Sequence, residues 1–237
     1  MDEKDLFFEQ IRSSGCLSYL LGCKKDKVCV VIDPEIDKTE EYLGLARDFS
    51  LEIVYAIDTH THADHSSACK ILRDRAGLPV VMHRASEAPY VDRRVEEGDV
   101  IQCGQLPIKV LHTPGHTEDS ACLLVGNRIF TGDTLLVGGC GRTDLPGGDA
   151  EKQYESLRRL ESLGDEIRVY PAHDYRPALS TLGDEKKNNP RLLMRSKEEF
   201  IKFMTSRNPP LPRKIQSALE WNRTPIQGTQ RGKGEGI

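Results

Sequence analysis

The sequence predicts an α+β protein in which layers of strands and helices enclose a core. Short segments of strand-like composition alternate with segments of helical periodicity, and a mainly helical region follows after about residue 177. The chain has 237 residues, of which 38% are hydrophobic and 30% charged, as is usual for a globular protein. Because strands and helices are mixed, we expect a layered α+β or α/β domain and not a helical bundle or an all-β sandwich.

Eight short segments have the composition of β-strands, with apolar and β-branched runs bounded by turn residues. They cover residues 17–21, 28–32, 53–57, 79–82, 108–112, 121–125, 128–131 and 168–170. Apolar residues at helical spacing predict helices over 38–48, 66–76, 150–163, 180–188, 196–206 and 213–221.

Two of the predicted helices carry start signals. Asp149 precedes the helix over 150–163 and can accept hydrogen bonds from its first turn. Ser196 and Glu199 form the S-x-x-E pattern of a capping box at the start of the helix over 196–206. We expect a core over 1–176, a helical extension over 177–223 packed on the same domain, and a flexible tail over 224–237.

The charge balance and the hydropathy pattern exclude some partners. With 33 basic and 37 acidic residues, the net charge is -4, so we expect no nucleic-acid partner. No apolar run approaches the roughly 18 residues that span a bilayer, so we expect no membrane segment. The first ten residues are acidic and lack the features of a secretory signal. We expect a cytoplasmic protein, or one of the mitochondrial matrix if the source is eukaryotic.

The seven cysteines are scattered and odd in number, which predicts reduced thiols in a reducing compartment. Cys29 and Cys122 lie inside apolar runs and are expected to be small core residues. Cys140 lies in a glycine-rich loop, where we expect it mainly to fill space.

A dense group of histidines and aspartates follows the predicted strand over 53–57. His60, His62, Asp64 and His65 lie within six residues of each other, ahead of a predicted helix. Unpaired polar groups are costly in a core, whereas neutral imidazole and carboxylate are ordinary ligands of zinc and non-haem iron. The cluster therefore predicts a metal site.

Three further residues follow other predicted strands in the same way. His116 comes after a Pro-Gly turn, Asp133 after the strand over 128–131, and His173 after the strand over 168–170. Each residue alone is more typical of a turn than of a metal ligand. Their joint occurrence behind the histidine cluster favours a shared site.

This ordered set resembles the signature of the metallo-β-lactamase superfamily, in which a T-H-x-H-x-D-H turn precedes a separate His, Asp and His. The resemblance implies an αβ/βα sandwich of two mixed β-sheets flanked by helices. It allows two metals, the first held by His60, His62 and His116, the second by Asp64, His65 and His173, with Asp133 bridging them. His83 and His112 lie outside these motifs and are expected to be structural.

The stretches Gly-Cys-Gly-Arg-Thr-Asp at 139–144 and Tyr-Pro-Ala-His-Asp-Tyr at 170–175 resemble the persulfide dioxygenases, which are related to glyoxalase II. That resemblance implies one Fe(II) per chain, held only by His60, His116 and Asp133. Two histidines and a carboxylate leave three coordination positions open, enough for a persulfide sulfur and O2. His62, Asp64, His65 and His173 would then orient the ligands through hydrogen bonds.

The same resemblance implies that glutathione persulfide, O2 and water react to give glutathione and sulfite. Glutathione carries two carboxylates, which a guanidinium and a phenol can bind. By the same resemblance, Arg142 and Tyr175 are the residues expected to bind the substrate. A homodimer and a sulfurtransferase that delivers the persulfide are further expectations.

Two alternatives stay open. One is a hydroxyacyl-glutathione thioesterase with two Zn(II) per chain, because every superfamily ligand is present. The other is a non-catalytic persulfide sensor or carrier. The sequence also departs from the family, with Cys16 in place of a hydroxyl residue and Gly138 where some members carry arginine. The acidic pair Glu118-Asp119 is a further departure, and we expect Gly138 and this pair to weaken binding of an anionic thiol.

Overall fold

Two mixed β-sheets lie face to face in the computed structural model, which describes residues 3–173 and 179–225. In these ranges each sheet has six strands. The first sheet consists of β1 (Leu6–Ser13), β2 (Cys16–Cys23), β3 (Val28–Ile32), β4 (Glu52–Ile57), β5 (Val80–His83) and β6 (Arg93–Val95). The second consists of β7 (Val100–Cys103), β8 (Leu106–His112), β9 (Ala121–Val125), β10 (Arg128–Gly132), β11 (Arg168–Pro171) and β12 (Ser180–Thr181).

Helices cover the outer faces of the sheets. They are α1 (Thr39–Asp48), α2 (Cys69–Ala76), α3 (Ala150–Glu161), α4 (Leu182–Asn188), α5 (Pro190–Leu193), α6 (Lys197–Ser206) and α7 (Ile215–Arg223). Within the described ranges, none of these helices is both long and apolar enough to cross a membrane.

Both sheets mix parallel and antiparallel pairs, which explains the alternation of hairpins and helical crossovers. In the first sheet β1, β2 and β3 pair antiparallel, and β3 to β6 pair parallel. In the second sheet β7 to β10 pair antiparallel, β10 and β11 are parallel, and β12 is antiparallel to β11. Parallel neighbours need long crossovers, and these supply α2 and α3.

Three apolar clusters fill the spaces between the layers. The first lies between the sheets and joins residues such as Tyr19 and Ile32 to Ile108 and Phe130 of the second sheet. The second lies between the first sheet and α1 and α2, and the third between the second sheet and α3 to α6. Side chains alternate along each strand between these clusters, so both faces of both sheets are buried. The predicted αβ/βα sandwich is therefore confirmed.

The eight predicted strands are all present, with ends that differ by a few residues. The sequence did not predict β1, β6, β7 or β12, nor the short helix α5. β1 contains several polar residues and lies at a sheet edge, and β6 is mostly arginine, so neither has the apolar run of a buried strand. Pro190 occupies the first turn of α5, where the Asn189 side chain accepts a hydrogen bond from the Arg191 amide.

The two residues predicted to cap helix N-termini make the expected hydrogen bonds. Asp149 accepts hydrogen bonds from the amides of Glu151 and Lys152, and Ser196 accepts one from the amide of Glu199. The seven cysteines are free thiols, and Cys29 and Cys122 are fully buried as expected. The proposed domain boundary at 176 stays a prediction, because it falls between the described ranges, and most of the tail over 224–237 lies outside them.

Phe130→Ala is expected to lower the free energy of unfolding by about 3–5 kcal/mol, because it opens a cavity between the sheets. The ring is fully buried and lies 5.0 Å from Tyr19 and 5.3 Å from Tyr170, measured between ring centroids. Denaturant unfolding followed by circular dichroism measures the loss. Phe49→Ala is the matched control, since 52% of Phe49 is already exposed and its loss should be much smaller. Equal losses in the two variants would contradict this packing.

Candidate metal centre

The site lies at one edge of the sandwich, where the loops that follow β4, β8, β10 and β11 meet. His60 lies in the loop after β4, His116 between β8 and β9, and Asp133 directly after β10. All three side chains are buried. Their donor atoms lie within 4.8 Å of one another, and the Nε2 atom of His116 is 3.5 Å from Oδ2 of Asp133. We call His60, His116 and Asp133 the triad.

Hydrogen bonds fix which nitrogen each triad histidine offers. Nδ1 of His60 lies 3.0 Å from the hydroxyl of Thr59, which donates to a carboxylate oxygen of Asp33 at 2.9 Å. Nδ1 of His116 donates to the carbonyl oxygen of Arg142 at 2.7 Å. Both Nε2 atoms are thereby left for a ligand. Metal-binding histidines are typically oriented by such a hydrogen bond on the other nitrogen.

The electrostatics of the triad also suit a cation. Burial lowers the pKa of His60 well below its ordinary value, so the imidazole is neutral and keeps a lone pair. Burial alone would raise the pKa of Asp133, but the neighbouring histidines, His173 foremost, hold it well below its usual range. Two imidazole nitrogens and one carboxylate are a donor set that binds divalent transition metals. These residues therefore fit a metal cofactor.

His173 supports the triad through Asp133. Its Nδ1 atom is 2.6 Å from Oδ1 of Asp133, and its Nε2 atom is 2.8 Å from Oδ2 of Asp64. One oxygen of Asp133 is thus held by His173 while the other faces His116. This arrangement fixes the orientation of the carboxylate.

His62 does not join the triad. Its Nε2 atom lies 3.3 Å from Asp33 and 3.7 Å from Asp58, and its side chain is fully buried. Burial opposes a charge on this ring, but the two carboxylates outweigh burial and raise the pKa of His62 well above its ordinary value. His62 groups with Asp33 and His60, and within the described ranges it forms no group with His116 or Asp133.

A second set of donors lies beside the triad. Cys16, Asp64, His65 and His173 bring four potential ligand atoms within 4.8 Å of one another. Burial would raise the pKa of the Cys16 thiol, but hydrogen bonds to His173 and His65 lower it overall. Three of the four residues were expected to lie together. The place of Cys16 among them was not predicted.

Two glycines let the loops approach the triad closely. Gly132 has a φ of +51°, and a Cβ there would collide with the Thr59 hydroxyl. A Cβ at Gly141 would collide with the carbonyl oxygen of Asp133 and lie 2.9 Å from Nδ1 of His116. A larger residue at either position would therefore displace a triad residue.

The C-terminal helix α7 holds the turn that carries the histidines. The side-chain amide of Asn222 donates to the carbonyl oxygens of His62 and His65 at 2.9 and 3.0 Å. Its oxygen accepts from the Ser67 amide at 3.0 Å, and the Trp221 indole donates to the Ser67 carbonyl at 2.9 Å. Asn222 is 2% exposed, so these bonds satisfy buried backbone groups of the turn.

A cavity of about 530 Å3 opens beside the triad. Asp133 and His116 form part of its wall, and the loop from Leu136 to Leu145 and residues of the C-terminal region form the rest. The cavity is large enough for a ligand of small-peptide size.

The comparisons with known proteins agree with this architecture. A family model described as the Metallo-beta-lactamase superfamily matches residues 12–173. Persulfide dioxygenase ETHE1, mitochondrial, of Bos taurus is 38% identical over 210 residues, covering 86% of this chain and 82% of the bovine protein. The human protein of the same name is 37% identical over 214 residues, covering 88% and 84%. The crystal structure of ETHE1 from Myxococcus xanthus matches with a TM-score of 0.89 and 41% identity, covering 92% of this chain and 98% of that one.

The chain belongs to the metallo-beta-lactamase superfamily, and within it to the persulfide dioxygenases.

Arg142 and Tyr175 are the substrate-binding residues expected for a persulfide dioxygenase. Of these two, Arg142 lies in the described ranges and Tyr175 lies outside them. Arg142 lines the cavity, but its guanidinium makes two hydrogen bonds to Asp144, at 2.7 and 2.6 Å. It also donates to the carbonyl oxygens of Pro210 and Pro209 at 2.8 and 3.1 Å. The side chain therefore ties its loop to the C-terminal region.

Two other arginines of the cavity wall, Arg191 and Arg207, were not assigned a role from the sequence. Their guanidinium carbons lie 3.9 and 5.4 Å from the ring centroid of Phe203. Within the described ranges neither is within 4.0 Å of a carboxylate.

Both members of the acidic pair Glu118-Asp119 have partners within the fold. The carboxylate of Glu118 pairs with Lys152 at 2.6 Å, and that of Asp119 accepts a hydrogen bond from the Thr61 hydroxyl at 2.6 Å. Neither residue lines the cavity, and the weaker binding of an anionic substrate expected from this pair stays a prediction. Gly138 does line the cavity, and its amide donates to Glu185 at 2.9 Å.

His83 and His112 stack on each other with ring centroids 3.8 Å apart. In the described part of the chain neither belongs to a group of potential metal donors. This agrees with the structural role expected for them.

Thr59→Val is expected to weaken metal binding about 10–100-fold, because it removes the hydroxyl that links Asp33 to His60. A titration of the metal-free protein against a competing chelator measures the affinity. Thr59→Ser keeps the hydroxyl and should restore most of it. If Thr59→Val binds metal as tightly as the unmodified protein, the hydrogen-bond chain does not orient His60.

Proposed function

We propose that the chain is an iron-dependent persulfide dioxygenase that converts glutathione persulfide, O2 and water to glutathione and sulfite. The observation that carries the proposal is the three-donor triad of His60, His116 and Asp133, a group that His62 does not join in the described ranges. The persulfide dioxygenases among the relatives support the reaction.

The donor set supports one Fe(II) per chain. Two imidazole nitrogens and one carboxylate form the facial triad of non-haem iron oxygenases, which leaves coordination positions open. When bound there, ferrous iron supplies the redox chemistry between a sulfur ligand and O2. Asp133 contributes the one negative charge of the triad.

The reaction balances without a further reductant. The outer sulfur of the persulfide is oxidised to sulfite by four electrons, and O2 accepts those four electrons. Two oxygen atoms of sulfite derive from O2 and the third corresponds to water, while the inner sulfur leaves as the thiol and two protons are released. His173, between Asp133 and Asp64, holds the triad carboxylate in place throughout.

The cavity supports an anionic substrate. Glutathione carries two carboxylates, and guanidinium groups bind carboxylates with charge-assisted hydrogen bonds. Arg191 and Arg207 lie in the cavity wall without a carboxylate within 4.0 Å in the described ranges, whereas Asp144 already neutralises Arg142. We therefore propose Arg191 and Arg207 as the principal carboxylate contacts. Arg142 and Tyr175 stay in the proposal as further substrate-binding residues.

The proposal extends to assembly and location. We propose a homodimer, a sulfurtransferase that supplies the persulfide, and a reducing compartment, either the cytoplasm or the mitochondrial matrix of a eukaryote. The free thiols support the reducing compartment. The other two parts rest on the resemblance to the family.

A two-metal thioesterase is the second candidate function. It is favoured by the nearness of Asp64, His65 and His173 to Asp133, the set that holds a second Zn(II) in the alternative assignment. A persulfide carrier without turnover is the third.

Anaerobic purification, metal analysis and an oxygen electrode separate the candidates. The dioxygenase predicts about one iron per chain, O2 uptake with glutathione persulfide and formation of sulfite. Two zinc ions with cleavage of a hydroxyacyl-glutathione thioester in the absence of O2 would support the hydrolase. Persulfide binding without sulfite would support the carrier.

Asp133→Ala and His60→Ala are expected to remove both iron and O2 uptake, because each deletes a triad ligand. His62→Ala is the matched control from the same turn and should retain most of the iron, since its ring faces Asp33 and Asp58. Metal analysis of the three variants, purified in parallel, gives the result. If His62→Ala loses iron as completely as His60→Ala, the three-ligand assignment is wrong.

Arg207→Leu is expected to raise the KM for glutathione persulfide about tenfold or more, since a charged hydrogen bond contributes about 1.5 kcal/mol or more. The kcat and the iron content should change little. A persulfide without carboxylates, such as that of mercaptoethanol, should show no such rise. Arg213→Leu, an exposed arginine outside the cavity wall, is the control. An unchanged KM for glutathione persulfide would remove Arg207 from the substrate contacts.

A further inference from the structure

Asn222, near the end of α7, is bonded to both ends of a short segment in the loop after β4. Its Nδ2 atom donates to the carbonyl oxygen of His62 at 2.9 Å and to that of His65 at 3.0 Å. Its Oδ1 atom accepts from the amide of Ser67 at 3.0 Å. We call residues 60–67 the histidine turn. One side chain from the far end of the chain thus holds three backbone groups of this turn.

These three bonds are made where water cannot replace them. The side chain of Asn222 and the residues His62, His65 and Ser67 are all buried. A buried backbone group that loses its partner is costly, so loss of the amide would force the turn to rearrange. The orientation of the amide follows from the same contacts, because two carbonyl oxygens need a donor and one N–H needs an acceptor.

Other contacts dock α7 against the turn independently of Asn222. The indole of Trp221 donates to the carbonyl oxygen of Ser67 at 2.9 Å. From α2, the Nζ atom of Lys70 lies 4.4 Å from the centroid of the Trp221 ring and 3.3 Å from the hydroxyl of Thr224. The helix therefore presents Asn222 from a fixed position, and a change at residue 222 alone leaves these contacts in place.

The segment that Asn222 holds leads to the triad. Asp64 lies between His62 and His65, and its Oδ2 atom is 2.8 Å from Nε2 of His173. Nδ1 of His173 is in turn 2.6 Å from Oδ1 of Asp133. Because the aspartate side chain is short, Asp64 reaches His173 only while the backbone of the turn stays in place. The position of the turn is therefore transmitted to the triad carboxylate through two hydrogen bonds.

We propose that Asn222 is a positioning residue of the triad, which sets metal affinity and turnover by holding the histidine turn in register with Asp133. The proposal rests on the proposed metal-binding role of the triad. It adds a residue of the C-terminal helix that is outside the metal centre and acts only through its hydrogen bonds to the backbone. Outer groups that orient metal ligands commonly change metal affinity or activity when they are replaced.

Asn222 is also separate from the place where the substrate would bind. The cavity wall, as far as the structure describes it, includes Arg207 of the C-terminal region but does not include Asn222. A change at Asn222 should therefore alter kcat and metal affinity and leave the KM for glutathione persulfide nearly unchanged. A general loss of folded structure would not separate these quantities.

Asn222→Asp is the central test, because it keeps the size and shape of the side chain. An ionised carboxylate has no donor for the carbonyl oxygens of His62 and His65, and a protonated one could donate to only one of them. We expect Fe(II) to bind about tenfold or more weakly, measured without O2 by titration of the metal-free protein against a competing chelator. Asn188→Asp is the matched control, since Asn188 is an exposed asparagine at the end of α4.

The indole of Trp221 reports whether α7 remains docked. Trp221 is the single tryptophan of the chain, so 15N-labelled protein gives one indole N–H resonance. We expect this resonance to stay close to its original position in Asn222→Asp, because the bond from Trp221 to Ser67 does not involve Asn222. Asn222→Ala is the second variant. It removes the amide without adding a charge, and it should weaken Fe(II) binding while keeping the indole resonance.

A double-mutant cycle tests the route through Asp64. Asp64→Ala already removes the contact with His173, so adding Asn222→Asp should weaken Fe(II) binding by less than about twofold further. If Asn222 only stabilised the fold, the separate effects of the two changes on Fe(II) affinity would multiply.

Three results would overturn the role of Asn222. These are an Fe(II) affinity in Asn222→Asp equal to that in Asn188→Asp, effects that multiply in the cycle with Asp64→Ala, or loss of the indole resonance in both variants at residue 222. An unmodified protein that binds no Fe(II) would overturn this proposal and the proposed function together. An unmodified protein that binds Fe(II) no more tightly than its Asn222 variants would overturn only the role of Asn222.

Discussion

The carboxylate of Asp33 is the group on which the arrangement of the metal centre depends. It follows β3 with a φ of +49°, an uncommon conformation that aspartate adopts more readily than most residues. From there it accepts hydrogen bonds from the amide and the hydroxyl of Thr59, at 2.7 and 2.9 Å. The Thr59 hydroxyl in turn meets Nδ1 of His60. One buried acid thereby fixes both the start of the histidine turn and the orientation of its first imidazole.

The same carboxylate determines how many histidines face the triad. Asp33 and Asp58 raise the pKa of His62, whose Nε2 atom lies 3.3 Å from Asp33 and 3.7 Å from Asp58. Of the two histidines in H-x-H spacing, only His60 groups with His116 and Asp133 in the described ranges. Asp33 and Asp58 are not proposed as metal ligands themselves. In the proposed assignment they nevertheless decide whether His62 joins the triad as a fourth ligand, and so favour oxygenase over hydrolase chemistry.

The sequence predicted most strands of the two sheets, but it did not predict the residues that hold the site loops in place. Regular apolar runs identified the central strands. β6 was not predicted, because two of its three residues are Arg93 and Arg94. The resemblance to the family supplied the triad, whose members each come a few residues after a predicted strand, and their role as metal ligands stays a prediction. Asn222 could not be predicted, since it contacts the histidine turn across 157–160 residues and no local pattern reports such a contact. The pairing of Arg142 with Asp144 depends equally on the folded loop.

The most direct test of the account is anomalous diffraction at the iron absorption edge from crystals of protein purified without O2. The account predicts one iron per chain, bound by Nε2 of His60, Nε2 of His116 and the carboxylate of Asp133, with no other cation bonded to Asp133. A second cation bridged to the first through Asp133, or His62 bound to the first ion as a further ligand, would contradict the account.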